Sequence, residues 1–215
     1  TDKVWTPHAS GTYWVVLGYV KNRLLAIDSD NGWMFLASDE SAGTTSSDDV
    51  FATTFLDLTD VGTTQGIQIA DTPGPVVVGY LSQVYTVSID QSTSTPSAAP
   101  PVLAGVLPND ESIRGLLYVA GYLVIATTKG VRFGQLDASG NLTYDTTVAA
   151  ITQADPGTGR MAAQGTRVYV PGNGPSGVGV YEFDLANLVD DLSPAWTCRW
   201  LHPDTPAATS TANSG

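Results

Sequence analysis

The chain predicts an all-β fold, a β-propeller of about four four-stranded blades, on three observations. The first is self-similarity: GTYWVVLGYVKNRLLAID ends at Asp28, GPVVVGYLSQVYTVSID at Asp90, GYLVIATTKGVRFGQLD at Asp137 and GTRVYVPGNGPSGVGVYEFD at Asp184. In each, a glycine (Gly11, Gly74, Gly121, Gly165) opens an apolar run, a polar or Gly-containing break follows, and a second run closes on an apolar residue plus Asp. The glycine-to-aspartate spacings are 17, 16, 16 and 19, and the aspartates lie 62, 47 and 47 apart. A unit of about 45 to 50 residues with about four short strands is how one propeller blade reads. The second observation is a period of two in runs filled with β-branched and aromatic residues. The third is that runs such as WVVLGYV and YLVIA are apolar without interruption, so each sheet needs a neighbour on both faces. A closed ring also removes free strand edges. Four blades is the bottom of the usual range, so the units either close a ring themselves or belong to a larger one.

Taken in order, the first unit offers KVWTPHA, TYWVVLGYV, RLLAID and GWMFLAS, the last pair joined by Ser29, Asp30, Asn31 and Gly32. Asn-Gly favours a type I′ hairpin turn because both residues accept positive φ. DDVFATTFLDLTD then adds one further strand, which accounts for the longer 62-residue spacing. The second unit runs from VGTTQGIQIAD through the Asp90 hairpin, crosses QSTSTPSAAPP as a surface loop and ends in PVLAGVL. In the third, SIRGLLYVAG is the innermost strand, then YLVIATT, VRFGQLD and the outermost NLTYDTTVAAI, with a turn at Ala138, Ser139, Gly140 and Asn141. The fourth uses GRMAAQG, TRVYVPG, GVGVYEFDL and SPAWTCRWL. Only ANLVDDL reads as helical, for one or two turns. Residues 1–202 form the expected propeller domain, and 203–215, rich in Pro, Ala, Ser and Thr, a flexible tail or linker.

Composition narrows the function classes. With 215 residues the chain buries a sizeable core without staples. Nine Lys plus Arg against 21 Asp plus Glu leave a net charge of −12, too few cations to displace phosphate counterions, which argues against nucleic acid. The lone Cys198 cannot close an intramolecular disulfide. No run approaches the about 18 to 20 apolar residues of a membrane span. No basic region followed by an apolar one precedes Trp5, so no signal peptide is read, and a start at Thr1 is taken as that of a piece of something longer.

Most catalytic patterns fail on structural context. Gly172, Gly174 and Gly177 spell the dinucleotide fingerprint, which needs a helix after it; here a strand follows, and a glycine-rich hairpin loop is the reading. Asp28, Asp30 and Gly32 resemble a calcium loop, but the glycine comes one residue early. His8 and His202, the only histidines, stand near opposite ends of the chain, and with Cys198 lack zinc-site spacing. No cofactor and no metal are expected. The four repeated aspartates occupy equivalent positions at the end of each third strand, as turn caps would. Asp110, Glu111 and Arg114 open the third innermost strand and are placed to face an axial channel, either as ligand contacts or as a salt-bridged loop. Trp196 and Trp200, four apart on one strand, should share a face and form an aromatic pair for carbohydrate.

The stretch ESIRGLLYVAGYLVIATTKGVRFGQLDASGNLTY, Glu111 to Tyr144, resembles the propeller repeat of minor tail proteins from long-tailed phages of actinobacteria, and MAAQGTRVYVPG resembles the blade that follows there. The resemblance covers about half the chain. It implies a virion component at the tail tip, outside the host cell, serving as a scaffold or host-surface adhesin; with the catalytic constellation missing from the sequence as well, no chemistry of its own is expected. Its partners would be other tail proteins, host cell-surface glycan and further copies of itself. A fragment of a secreted propeller-type glycoside hydrolase is the competing expectation, with Asp110 and Glu111 as its carboxylates.

Overall fold

The computed structural model describes residues 14–21, 23–28, 33–37, 51–57, 61, 67–90, 97–108, 110–145, 150–152, 161–187 and 196–201. The strands before residue 58 are described by their backbone. The fold is all-β, and among the described residues there is no α-helix; a 3-10 turn at Leu185–Asn187 covers the start of the stretch that reads as helical. Among the described residues, eighteen strands form four four-stranded antiparallel sheets and one two-stranded ribbon. Contacts divide the chain into two compact units, Thr1–Gln65 with Val87–Pro101, and Gly66–Thr86 with Val102–Gly215.

The first unit holds the sheet β1 (Trp14–Val20), β2 (Arg23–Asp28), β3 (Trp33–Ala37) and β4 (Phe51–Asp57), in that spatial order. Its fourth strand is therefore the run the sequence offered as an extra one, while KVWTPHA lies outside the described residues. As a result Asp28 ends the second strand of its sheet rather than the third. The ribbon β8 (Ile89–Asp90) with β9 (Ser97–Ala98) also belongs to this unit, and Asp90 ends its first strand. The expected equivalence of the four aspartates thus holds only for Asp137 and Asp184. The segment 203–215 lies outside the described residues.

Three sheets make up the second unit. β5 (Gln68–Ala70), β6 (Val76–Tyr80), β7 (Gln83–Val87) and β10 (Val102–Val106) form its first. β11 (Ile113–Val119), β12 (Tyr122–Thr127), β13 (Val131–Leu136) and β14 (Leu142–Tyr144) form its middle sheet. β15 (Ala162–Gln164), β16 (Arg167–Gly174), β17 (Gly177–Asp184) and β18 (Trp196–Leu201) form its last. The last two follow the sequence expectation strand for strand. At the β11–β12 turn Ala120 and Gly121 take φ of 52° and 91°, the two positive values of a tight primed hairpin.

The middle sheet is buried on both faces, which explains its unbroken apolar runs. On one side Ile113, Leu116, Leu123 and Ile125 pack with Ala70, Val77, Val84 and Ala104 of the first sheet. On the other, Val124, Ala126, Val131 and Phe133 pack with Val168, Val170, Tyr181 and Phe183 of the last. Phe133 and Phe183 meet with ring centroids 5.3 Å apart, tilted by 57°, a favoured aromatic geometry. Each such side chain contributes about 1.5–3 kcal/mol by leaving water. Along β12 the faces alternate: Leu123 and Ile125 belong to one cluster, Val124 and Ala126 to the other.

An edge strand in each four-stranded sheet carries a register shift. β1 shifts between Val16 and Gly18, β10 between Leu103 and Gly105, and β11 between Ile113 and Gly115. In β18 the shift leaves Arg199 unpaired between Cys198 and Trp200. Bulges bend an edge and spoil it as a template for another strand.

Replacing Phe183 by Ala is expected to cost about 3–5 kcal/mol through the cavity left between the two sheets, whereas Thr143→Ala at the exposed position of β14 should change stability by less than about 0.5 kcal/mol. Urea unfolding followed by far-ultraviolet circular dichroism measures both; equal losses would contradict this division between core and surface.

Candidate functional site

The residues preceding and opening β11 do not act as one group. Glu111, 2% exposed, takes both oxygens to Arg132: Nε donates at 2.8 Å to Oε1 and 3.0 Å to Oε2, and Nη2 donates at 2.7 Å to Oε2. The Thr127 hydroxyl, itself an acceptor for the Lys129 and Gly130 amides, donates to Oε1 at 2.7 Å. Arg132 Nη1 donates to the Asp145 carbonyl at 2.9 Å, and its guanidinium lies 5.5 Å from the Tyr144 ring centroid. Glu111 hydrogen bonding raises the Arg132 pKa above its ordinary value. The carboxylate is thus a tie joining the entry of β11 to β12, β13 and the residue after β14.

Asp110 is separate: its exposed carboxylate meets Lys129 Nζ at 3.2 Å. The hydrogen bond and charge of Lys129 lower its pKa. Arg114 is the extra residue of the β11 bulge, and its Nε is buried without an acceptor. The expected trio therefore resolves into a buried tie, an exposed ion pair and a guanidinium at a sheet edge.

The tryptophan pair also comes apart. Trp196 sits opposite Phe183 and Trp200 opposite Val180, with Arg199 inserted between Cys198 and Trp200. The extra residue reverses the alternation, so the two indoles occupy opposite faces. Trp196 packs edge-on against Tyr181 at 5.5 Å, beside the core, while Trp200 is 52% exposed. Gly179 accommodates the bulge: a Cβ there would lie 2.1 Å from the Trp200 carbonyl oxygen.

On the solvent face of the last sheet the same bulge gathers a charged cluster that sequence reasoning missed. Glu182 lies opposite Tyr169 and Thr197. Arg199 donates to it from Nε at 2.9 Å and Nη2 at 2.8 Å, and Arg167 Nε stands 3.8 Å from Oε1. Both arginines are about half exposed, yet Glu182 is nearly buried beneath their stems. Arg199 hydrogen bonding holds the Glu182 carboxyl below the usual range, and Glu182 in turn raises Arg199. The one legible signal was Glu182 between Tyr181 and Phe183, where period two sends it away from the core.

The remaining candidates are turn chemistry. Asp137 Oδ1 accepts from the Ser139 and Asn141 amides at 2.8 Å each, and Asp184 Oδ1 from the Ala186 amide at 3.1 Å, the expected two-residues-on cap. Gly172, Gly174 and Gly177 lie in the β16–β17 hairpin, where Gly174 pairs with Gly177 and a Cβ on Gly174 would come within 2.5 Å of the Tyr181 ring. Their spacing thus has a steric cause within a hairpin. His8, His202, Asp30 and Gly32 lie outside the described residues. Among the described residues no three His, Cys, Asp or Glu groups gather as a metal site would, and no helix is long and apolar enough to cross a membrane.

Comparison of the chain with protein-family models and with curated proteins finds no match in either.

Two predictions follow from these contacts. Glu111→Ala strands the buried Arg132 charge and is expected to cost about 3–5 kcal/mol, with much of the loss recovered by adding Arg132→Met; denaturant melts of single and double variants decide this, and additive losses would refute the coupling. Asp137 has a folded pKa depressed below 3.8, chiefly by Asn141. Its contribution is therefore complete above the unfolded value and disappears as acid passes below the folded one. A carbon-13 titration should place its carboxyl midpoint under 3.8; a midpoint above that value would remove the cap.

Proposed function

We propose that this chain is a β-propeller module of a tail protein of long-tailed actinobacterial phages, standing at the tail tip and contacting other tail proteins or host-surface glycan. The observation that carries the reading is that the stretch bearing the resemblance, residues 111–144, contains one complete four-stranded sheet, β11 to β14, buried between two sheets of the same make. Face-to-face stacking of four-stranded antiparallel sheets is how propeller blades cover one another. Support also comes from the two carboxylates of the hydrolase alternative: Glu111 is committed to Arg132 and Asp110 to Lys129, a poor arrangement for an acid and a base across a cleft. In this reading the module works by contact, assembles with copies of itself in the virion and carries no cofactor.

Electron microscopy of phage particles with this chain gold-labelled is expected to show the label at the tail tip. Label on the capsid alone, or on no particle, would end the proposal, and an experimental structure without radial closure of the sheets would end the propeller part of it.

A further inference from the structure

We propose that Arg114 is the receptor for a single carboxylate, free or carried by a polypeptide, at the edge of the β11–β14 sheet. Such a site goes beyond the contact role proposed above and does not depend on it.

An uncompensated charge is the starting point. Every other arginine whose side chain is described has a carboxylate within 3.8 Å: Arg132 has Glu111, and Arg167 and Arg199 share Glu182. Lys129 has Asp110 at 3.2 Å. Arg114 makes no ion pair and no hydrogen bond among the described residues, although acidic residues outnumber basic ones 21 to 9 in the chain. It is partly buried. Its Nε is sealed from solvent without an acceptor, whereas its Nη groups are not sealed. A guanidinium drawn out of water with nothing to compensate it lowers stability. An orphaned buried donor of this kind marks a place where an acceptor belongs.

The neighbouring residues explain why the chain does not supply that acceptor. Asp110 and Glu111 stand four and three residues before Arg114, and both are engaged: Asp110 by Lys129, and Glu111 by Arg132 and Thr127. The entry of β11 is also fixed on either side. The Ile113 amide donates to the Leu81 carbonyl at 2.7 Å, the Thr128 amide to the Ser112 carbonyl at 2.9 Å, and the Ser112 amide to the Thr128 hydroxyl at 3.1 Å. Ile113 and Leu116, three apart, both pack in the cluster shared with the first sheet, so the extra residue between them takes Arg114 out of the regular alternation. Bulges re-aim side chains in this way beside binding sites. A guanidinium carried on a backbone so held is organised before its ligand arrives.

Charge counting selects the ligand. One monoanion neutralises one guanidinium, whereas a phosphate dianion would bring a surplus negative charge to a chain of net charge −12, close in sequence to Asp110 and Glu111. The planar pair of Nη groups matches the two oxygens of a carboxylate.

The test exchanges sodium chloride for sodium acetate at a constant ionic strength of about 0.15 M and follows the arginine Nε–H signals of the isotope-labelled protein by nuclear magnetic resonance. The Arg114 signal is expected to move saturably while those of Arg132 and Arg199 stay in place. Arg114→Lys, which keeps the charge and loses the fork, should weaken acetate about tenfold, and Arg114→Met should abolish binding. Titration with N-acetylglutamate α-amide separates the sources: binding about tenfold tighter than acetate indicates a polypeptide carboxylate, and anything weaker a free one. The corresponding glutamine compound should not bind. In thermal melts acetate should raise the melting temperature of the parent and not that of Arg114→Met, which keeps the apolar stem and should melt no lower than the parent without acetate. An unmoved Arg114 signal, tighter binding of inorganic phosphate or of the glutamine compound, acetate stabilisation that survives in Arg114→Met, or a lower melting temperature of that variant without acetate would each overturn the proposal.

Discussion

Two-sided burial of the β11–β14 sheet is the constraint on which the second unit depends. A sheet whose strands are apolar on both faces cannot stop at one neighbour, because either uncovered face would leave Leu123 and Ile125, or Val124 and Ala126, in water. The flanking sheets answer this with alternating strands. β16 and β17 turn Val168, Val170, Tyr181 and Phe183 inward and place Tyr169, Val180 and Glu182 on the other face. The outward residues are thereby released from packing, and it is among them that charge and aromatic surface collect.

Where polar groups enter this apolar stack they are fully employed. Glu111 and Arg132 satisfy each other and draw in Thr127 and the Asp145 carbonyl. A buried pair of this kind adds little net stability over an apolar substitute. What it contributes is registration: the residues before β11 are fixed against β13 and the end of β14, elements 21 and more positions away in the chain.

Much of this was legible in the amino-acid order, and the failures share a cause. The strands of the β11–β14 and β15–β18 sheets could be read one by one because each is an apolar run closed by a tight turn, and the glycine fingerprint in the β16–β17 hairpin was excluded by the strand that follows it. The first sheet was misassigned because KVWTPHA and VFATTFLD carry similar signals and periodicity does not say which run pairs with β3. Counting by twos placed Trp196 with Trp200, and one inserted residue undid the count; Gly179, on the neighbouring strand, was the only trace of it. The Glu111–Arg132 tie joins residues 21 apart through tertiary structure, and no local pattern announces such a contact.

The segment that leaves β7 and returns at β10 belongs to the first unit, although both flanking strands belong to the second. The chain consequently passes the boundary between its units at 65/66, 86/87 and 101/102. Neither unit is a continuous stretch of polypeptide, so a single cleavage near residue 65 would still leave fifteen residues of the first unit joined in the chain at both ends to segments of the second. Severing the two takes a loop excision as well as a cut, and during synthesis the first unit stays incomplete until the ribosome has already delivered the first three strands of a sheet in the second.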